Sequence, residues 1–239
     1  MARALAAWSA RAYVATTVSD RATDAQAYVT LDEEGDIIVA FRGSKTPQDF
    51  LQDAKFEQVM LAEIPHGAED PLVMVHEGFL EDFDAITVTL ISQVRTYLAL
   101  KPLAKIYITG HSLGGALAIL CALEFSQQLL MPELVVTFGQ PRVGNAAFRD
   151  LYNAALLNRT FRVINQNDIV PRTPGALLGY RHCGQEVFLR PDGQVEFNPA
   201  IAEKIIWDAV GLYGAYRRLE DVLIRDHFIQ QYQERIQGL

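Results

Sequence analysis

Apolar residues recur along the chain at two different spacings, and each spacing predicts one kind of secondary structure. Between residues 77 and 100 they return every three or four positions, which is the period of an amphipathic helix. Short runs rich in valine, isoleucine and aromatic residues are bounded by polar or turn-forming residues and predict strands. These runs are QAYVTLD, DIIVAF, KIYIT, ELVVTFG and TFRVIN.

Helical patterns alternate with these strands. SLGGALAILCALEFSQQL and NAAFRDLYNAAL each follow a predicted strand, and two more helices are predicted over about residues 2–15 and most of residues 200–236. QDFLQDAKFEQVML fits a short helix and then a strand, and QEVFLRPDGQVEFN fits a hairpin that turns at Asp192-Gly193. We therefore expect an α/β fold with a central, mostly parallel sheet and helices on both faces. The 239 residues fit one domain spanning residues 1–239.

Charge and hydropathy exclude several classes of function. The formal net charge is −8, and no cluster of lysine or arginine interrupts it. We therefore expect neither a nucleic-acid partner nor non-specific binding to anionic membranes. No stretch reaches the roughly 18 uncharged apolar residues of a membrane span, so no transmembrane segment is predicted.

The cysteines and the N-terminus bear on the compartment. Two cysteines, Cys121 and Cys183, make no disulfide framework. The apolar stretch of MARALAAWSARAYV between Arg3 and Arg11 is too short for a secretory signal. We therefore expect a cytoplasmic protein, although a mature secreted chain given a new start codon would have the same features.

One serine lies among three glycines where a predicted strand meets a predicted helix. In YITGHSLGGA the strand ends near Thr109 and the helical pattern begins after Ser112, so the chain turns within about three residues. Gly110 and Gly114 have no Cβ that would collide in so sharp a turn. This is the pattern of the G-x-S-x-G nucleophile elbow, in which a strained serine presents its hydroxyl at a helix N-terminus. The N–H groups there, first that of Leu113, can hold the oxyanion of an attacked ester.

A serine nucleophile needs a base, and the base needs an orienting carboxylate. In this architecture the chain order is serine, then aspartate or glutamate, then histidine. Asp168 follows the strand TFRVIN, at the sheet edge where Ser112 is expected, although aspartate is also a common turn residue. His182 and His227 are the histidines downstream of Ser112. His227, just before the last helical pattern, is the first choice for the base, and His182 is the second.

Six ordered blocks of the sequence resemble the class 3 lipases, the fungal triacylglycerol lipase type with its feruloyl esterase and plant relatives. The blocks FRGS, VHEGF, GHSLGGA, TFGQPRVGN, RVINQNDIVPRTP and DHFIQQY run in family order from about residue 41 to residue 232. The resemblance implies an α/β-hydrolase with a Ser-Asp-His triad that matches Ser112, Asp168 and His227. It therefore favours His227 over His182 as the base.

The resemblance also implies the remaining parts of the site. The family builds its second oxyanion donor from the residue after RG, which is Ser44 here, beside the N–H of Leu113. Neither a metal nor a cofactor is needed for this chemistry, and His76 and His111 are expected to be structural. The positions implied to contact the substrate are Phe50, Leu51, Val170 and Tyr13.

These features predict a serine carboxylic ester hydrolase that works through an acyl-enzyme. The expected substrate is an acylglycerol or another lipid ester, met during transient contact with a lipid interface. Two departures from the family leave the substrate open, because KTPQDFLQDAKF is more polar than the family's lid helix and the segment before His227 is long and helical. That segment, residues 200–226, either packs on the core or covers the site. The alternatives are a non-lipolytic esterase for feruloyl-type or short-chain soluble esters, and a catalytically silent binding module.

Overall fold

The computed structural model describes residues 15–23, 25–43, 57–61, 71–190, 192–200 and 225–238. These residues form ten strands and four α-helices. The strands are β1 Thr16–Ser19, β2 Gln26–Leu31, β3 Ile37–Phe41, β4 Gln58–Met60, β5 Met74–His76, β6 Ile106–His111, β7 Leu134–Phe138, β8 Thr160–Asn165, β9 Gln185–Leu189 and β10 Val195–Phe197. The helices are α1 Glu77–Leu100, α2 Leu113–Gln127, α3 Ala146–Leu156 and α4 Ile229–Gln237.

Eight of these strands form one sheet in the order β1-β2-β3-β6-β7-β8-β9-β10. The five central strands, β3, β6, β7, β8 and β9, run parallel. The pairs β1–β2, β2–β3 and β9–β10 are antiparallel, and β4 pairs with β5 in a separate antiparallel ribbon. The mostly parallel sheet confirms the predicted α/β class, and β9 and β10 form the predicted hairpin around Asp192-Gly193.

Two short strands, β1 and β5, were not predicted from the sequence. Their sequences, TTVS and MVH, contain too few apolar positions for a recognisable alternation. Pairing with a neighbouring strand makes each segment extended, since every residue of β1 pairs with β2 and every residue of β5 pairs with β4. The predicted helix over about residues 2–15 lies outside the described residues except for Ala15, which is not helical, and the short helix in QDFLQDAKF lies wholly outside them.

Helices cover the sheet on both faces. Val135 and Val136 of β7 point to opposite sides, because successive side chains alternate along a strand, and they belong to different hydrophobic clusters. The cluster of Val135 includes buried residues of α1, α2 and α3, whereas that of Val136 includes Tyr232, Ile229 and Ile236 of α4. The predicted placement of helices on both faces is therefore confirmed. Among the described residues, none of the helices has both the length and the apolar character that crossing a membrane requires.

The carboxyl ends of the parallel strands bring several loops to one edge of the sheet. The last residues of β6 and β7, His111 and Phe138, are paired in register. Ser112 follows β6 directly, and Asp168 lies three residues beyond the end of β8. Ser112 and Asp168 therefore lie at the same edge, where α/β proteins gather their functional groups.

Candidate active site

Ser112 has a strained backbone conformation between β6 and α2. Its φ is 58° and its ψ is −128°, a combination that residues other than glycine rarely adopt. Ser112 is the N-cap residue of α2, and Leu113 is the first residue of that helix. Because the first N–H groups of a helix have no acceptor within it, the N–H of Leu113 lies where the sequence predicts an oxyanion donor.

Gly110 allows α2 to approach β6 closely, and Gly114 allows α2 to approach the end of β3. A Cβ on Gly110 would lie 2.0 Å from the carbonyl oxygen of Gly114, and a Cβ on Gly114 would lie 2.4 Å from the carbonyl oxygen of Phe41. Both obstacles are backbone atoms, which cannot move aside without deforming the helix or the sheet. The close approach therefore requires the two glycines that flank Ser112, as the sequence predicts.

Asp168 and His227 form a buried pair at the same edge of the sheet. Nδ1 of His227 lies 2.8 Å from Oδ2 and 3.0 Å from Oδ1 of Asp168, and neither residue is exposed to solvent. An ionised carboxylate only accepts hydrogen bonds, so Nδ1 of His227 carries the proton and donates it. Nε2 of His227 keeps its lone pair and can accept a proton from a hydroxyl group.

The end of β7 lies between Ser112 and this pair. The N–H of Ser112 donates to the carbonyl oxygen of Phe138 at 2.9 Å. A Cβ on the next residue, Gly139, would lie 2.8 Å from Oδ2 of Asp168 and 2.9 Å from the ring of His227. Oγ of Ser112 and Nε2 of His227 are buried and have no hydrogen-bond partner within the part of the chain that the structure describes. Since buried polar atoms are nearly always paired, two such atoms at one edge mark a place that a reacting group can occupy.

Tyr232 holds Asp168 from a second side, and sequence reasoning missed it. Its hydroxyl donates to Oδ2 of Asp168 at 2.5 Å and accepts from the N–H of Asn165 at 3.1 Å. The N–H of Val170 donates to Oδ1 at 2.9 Å. Burial, and then the charge of Asp168, raise the pKa of Tyr232 well above its usual value, so its hydroxyl keeps the proton. The only sequence hint was its place five residues after His227 in DHFIQQY.

The segment that carries His227 is fastened to the end of β8. Nδ2 of Asn165 donates to the carbonyl oxygen of Asp226 at 2.9 Å. The N–H of Asn167 donates to the Asp226 carboxylate. Burial raises the pKa of Asp226 above its usual value, and the positive charge of Arg225 offsets part of that rise. These contacts place the backbone of His227 beside Asp168.

Of the other predicted site residues, the structure describes Val170 and His182 but not the rest. Val170 is fully buried in a short 3-10 turn, Val170–Arg172, and its assignment to an acyl groove stays a prediction. His182, the second choice for the base, has Nε2 2.7 Å from the carbonyl oxygen of Pro171 and therefore donates a hydrogen bond there. The predicted residues that lie outside the described part of the chain are Ser44, Phe50, Leu51, Tyr13 and positions 201–224 of the candidate cover.

Two further histidines, the buried His76 and the half-buried His111, resist protonation. Nδ1 of His76 accepts from the N–H of Phe79 at 3.4 Å and caps α1, and burial lowers the pKa of His76 to about 4. Burial, and then the neighbouring His227, lower the pKa of His111 to about 4. In an unfolded chain a histidine titrates near pH 6.5, about two units or more above these values.

We expect the free energy of unfolding to fall as the pH drops from about 6.5 to about 4. In that window the unfolded chain binds protons at His76 and His111 that the folded chain does not bind. Each histidine therefore lowers the free energy of unfolding by about 1.4 kcal/mol for each unit that the pH falls. Urea unfolding at several pH values measures the slope. His76→Asn keeps an acceptor at the helix N-cap but removes one titrating group, so its slope should be shallower than that of the wild type. An unchanged slope in this variant would show that His76 does not contribute.

A family model described as Lipase (class 3) matches residues 38–178. The matched residues begin in β3 and end in the short 3-10 helix Ala176–Leu178, so they include Ser112 and Asp168 and stop before His227.

Two curated relatives and one solved structure extend this similarity. A lipase from Rhizomucor miehei is 35% identical over 163 residues, covering 66% of this chain and 43% of the relative. Secreted mono- and diacylglycerol lipase 1 from Fusarium solani is 30% identical over 200 residues, covering 83% of this chain and 57% of the relative. The structure of a Rhizomucor miehei lipase propeptide complex has a TM-score of 0.69 at 30% identity, covering 76% of this chain and 58% of that chain. The chain thus spans about half the length of the curated relatives it matches.

Proposed function

We propose a function for this chain, which belongs to the class 3 lipase family. We infer that it is a serine carboxylic ester hydrolase that cleaves acylglycerols or related lipid esters. The relatives named as a lipase and as a mono- and diacylglycerol lipase support this substrate class. The observation that carries the proposal is the Asp168–His227 hydrogen bond, because it selects the tautomer in which Nε2 can act as a base.

The proposed reaction passes through an acyl-enzyme. Nε2 of His227 takes the proton of the Ser112 hydroxyl while Oγ forms a bond to the ester carbonyl carbon. Asp168 stabilises the imidazolium that results. His227 then gives this proton to the leaving alcohol as the ester C–O bond breaks, and the acyl group stays on Ser112. His227 then takes a proton from water while the water oxygen bonds to the acyl carbon, and it returns this proton to Oγ as the bond between Oγ and the acyl carbon breaks. The carboxylic acid and the free serine are released.

We propose that the N-terminus of α2 holds the developing oxyanion. There the N–H of Leu113 and the helix dipole favour negative charge. Ser44 is proposed as the second donor from the family resemblance. Phe50, Leu51, Val170 and Tyr13 are proposed as substrate contacts on the same ground.

Ser112 is 3% exposed and His227 is fully buried in the structure described. The sequence leaves two alternatives for residues 200–226, packing on the core or covering the site, and positions 201–224 lie outside the described residues. The choice between these alternatives stays a prediction.

Hydrolysis rates on esters of increasing acyl length, below and above the solubility limit of each ester, test the substrate class. A lipid-ester hydrolase should work faster on long chains once the substrate forms droplets or micelles. A soluble-ester esterase would saturate below that limit and prefer short or feruloyl-type esters. Absence of turnover on every ester would leave the silent binding module and overturn the proposal.

Tyr232→Phe is expected to lower kcat about 10- to 100-fold and to leave KM within about twofold, because it removes a bond to a charged group worth about 1.5–3 kcal/mol. Steady-state kinetics on a soluble ester checks this. Tyr152→Phe is the matched control, since that buried hydroxyl bonds to Thr160 at 2.8 Å and contacts neither Ser112 nor Asp168 within the described hydrogen bonds. A kcat for Tyr232→Phe equal to that of the control would contradict a role for Tyr232 in holding Asp168.

The compartment and the domain organisation are also proposals. The Fusarium solani relative is named as secreted, so this comparison gives the cytoplasmic expectation no support, and we propose the secreted alternative instead. Fractionation of the source cells followed by an ester assay tests it. We propose residues 1–239 as a single α/β-hydrolase domain, and the expected lack of a nucleic-acid partner stays a prediction.

A further inference from the structure

His111, the residue before Ser112, contacts the backbone of His227. Nε2 of His111 lies 2.6 Å from the carbonyl oxygen of His227, and the two ring centroids are 4.5 Å apart. A carbonyl oxygen only accepts hydrogen bonds, so Nε2 of His111 carries a proton and donates it. The bond joins residues 116 positions apart in the sequence.

We propose that His111 is a positioning residue that fixes the backbone of His227 through this hydrogen bond and so keeps its imidazole aligned between Asp168 and Ser112. The proposal rests on the proposed function, because it assigns His111 a part in the reaction of the same site. It goes beyond the structural role that the sequence assigns to His111.

The connections of His111 explain why this bond can set the alignment. His111 is the last residue of β6 and is paired in register with Phe138 of β7, so its backbone is fixed by the sheet. The residue that follows it is Ser112, the proposed nucleophile. One side chain therefore links the strand that carries the nucleophile to the loop that carries the base.

Hydrogen bonds that involve the end of β8 and Tyr232 also hold the segment around His227. Asn165, at the end of β8, bonds to the carbonyl oxygen of Asp226, and Tyr232 bonds to Asp168. Among the described residues, His111 supplies the hydrogen bond to the His227 backbone from the β6 side. Loss of this contact would allow the imidazole to shift relative to Oγ of Ser112, and a displacement of about 1 Å can cost about 100-fold in rate.

The neutral state of His111 supports the assignment. Among the described residues, the ring of His111 is faced by His227, by Asp168 and by the edge of Tyr232, whose ring centroid is 6.0 Å away. Burial, followed by the neighbouring His227, lowers the pKa of His111 to about 4. The ring is therefore uncharged at neutral pH. No second positive charge then opposes the imidazolium that forms on His227 during the reaction.

A pair of variants separates the hydrogen bond from simple packing. His111→Gln can place an amide N–H near the position of Nε2, whereas His111→Met fills similar space with no donor. We expect kcat to fall about 10- to 100-fold in His111→Met with KM within about twofold. His111→Gln should recover most of that loss. Ester kinetics and thermal unfolding of both variants make the comparison.

Two outcomes would overturn the proposal. Wild-type kcat in His111→Met would show that the bond has no part in catalysis. Equal losses of kcat in both variants, in proportion to their losses of thermal stability, would show that His111 only packs.

A second readout keeps this test separate from the proposed function. Wild type and Ser112→Ala assayed in parallel report whether ester hydrolysis exists at all. The low-field NMR proton signal of His227 Nδ1–H reports its alignment with Asp168 without any substrate. The signal should persist in His111→Gln and broaden or shift in His111→Met. Identical signals in the two variants would overturn the proposal even if no ester were hydrolysed.

Discussion

Ser112→Ala is expected to abolish ester hydrolysis, with a fall in kcat of about 10⁶-fold, the size seen when a triad serine is removed from a comparable hydrolase. The change deletes the atom that bonds to the acyl carbon, and the structure offers no second hydroxyl in the same turn to replace it among the described residues. Residual turnover would come from the helix N-terminus and from substrate binding alone.

The fold should survive this substitution. Oγ of Ser112 has no hydrogen-bond partner among the described residues, so removing it leaves no protein group unpaired there. Ser126→Ala is the matched control, because Ser126 lies in the same helix and its hydroxyl bonds to the carbonyl oxygen of Leu123 at 2.7 Å. Ser126→Ala should keep full activity. Near-normal turnover in Ser112→Ala, measured with the same ester, would mean that another residue is the nucleophile.

His227→Ala should be almost as damaging as Ser112→Ala, at about 10⁶-fold in kcat, and Asp168→Asn should cost about 10⁴-fold because it favours the wrong tautomer of the imidazole. Among the described hydrogen bonds, His227 is the histidine whose Nδ1 bonds to Asp168, so its loss leaves the Ser112 proton without an oriented base. These losses should appear in kcat more than in KM, since the charges concerned develop during the reaction.

His182→Ala separates the two candidate bases. Nε2 of His182 donates to the carbonyl oxygen of Pro171. This hydrogen bond is separate from the one between Asp168 and His227. We expect this variant to keep kcat within about tenfold, with some loss of thermal stability from the lost bond. An inactive His182→Ala enzyme beside an active His227→Ala enzyme would reverse the assignment.

Local features of the sequence were sufficient to predict the turn at Ser112. The strand, the glycine spacing and the helix lie within one short stretch, so the conflict between Gly110 and Gly114 can be read from nearby residues, whereas the contact of Gly114 with Phe41 cannot. The class of sheet was predictable for the same reason, because each helical pattern follows its own strand.

The partners of Ser112 depend on contacts between distant segments. Spacing alone cannot decide between His182 and His227, because the choice depends on which loop folds back to the carboxyl edge of the sheet. The bond from Asn165 to Asp226, across 61 positions, is one of the contacts that decides it. Tyr232 was missed as a partner of Asp168, and His111 was assigned only a structural role, because their hydrogen bonds to Asp168 and His227 join distant segments.

Covalent trapping of the nucleophile tests the central claim most directly. The protein is treated with an alkylphosphonate ester, which phosphonylates a serine only where a base activates it and an oxyanion site holds the product, and the adduct is located by peptide mass spectrometry. The account predicts one adduct, on Ser112, formed at a rate that falls by orders of magnitude in His227→Ala and stays within about tenfold of the wild-type rate in His182→Ala. An adduct on another residue, or ester hydrolysis by a protein in which Ser112 stays unlabelled, would contradict it.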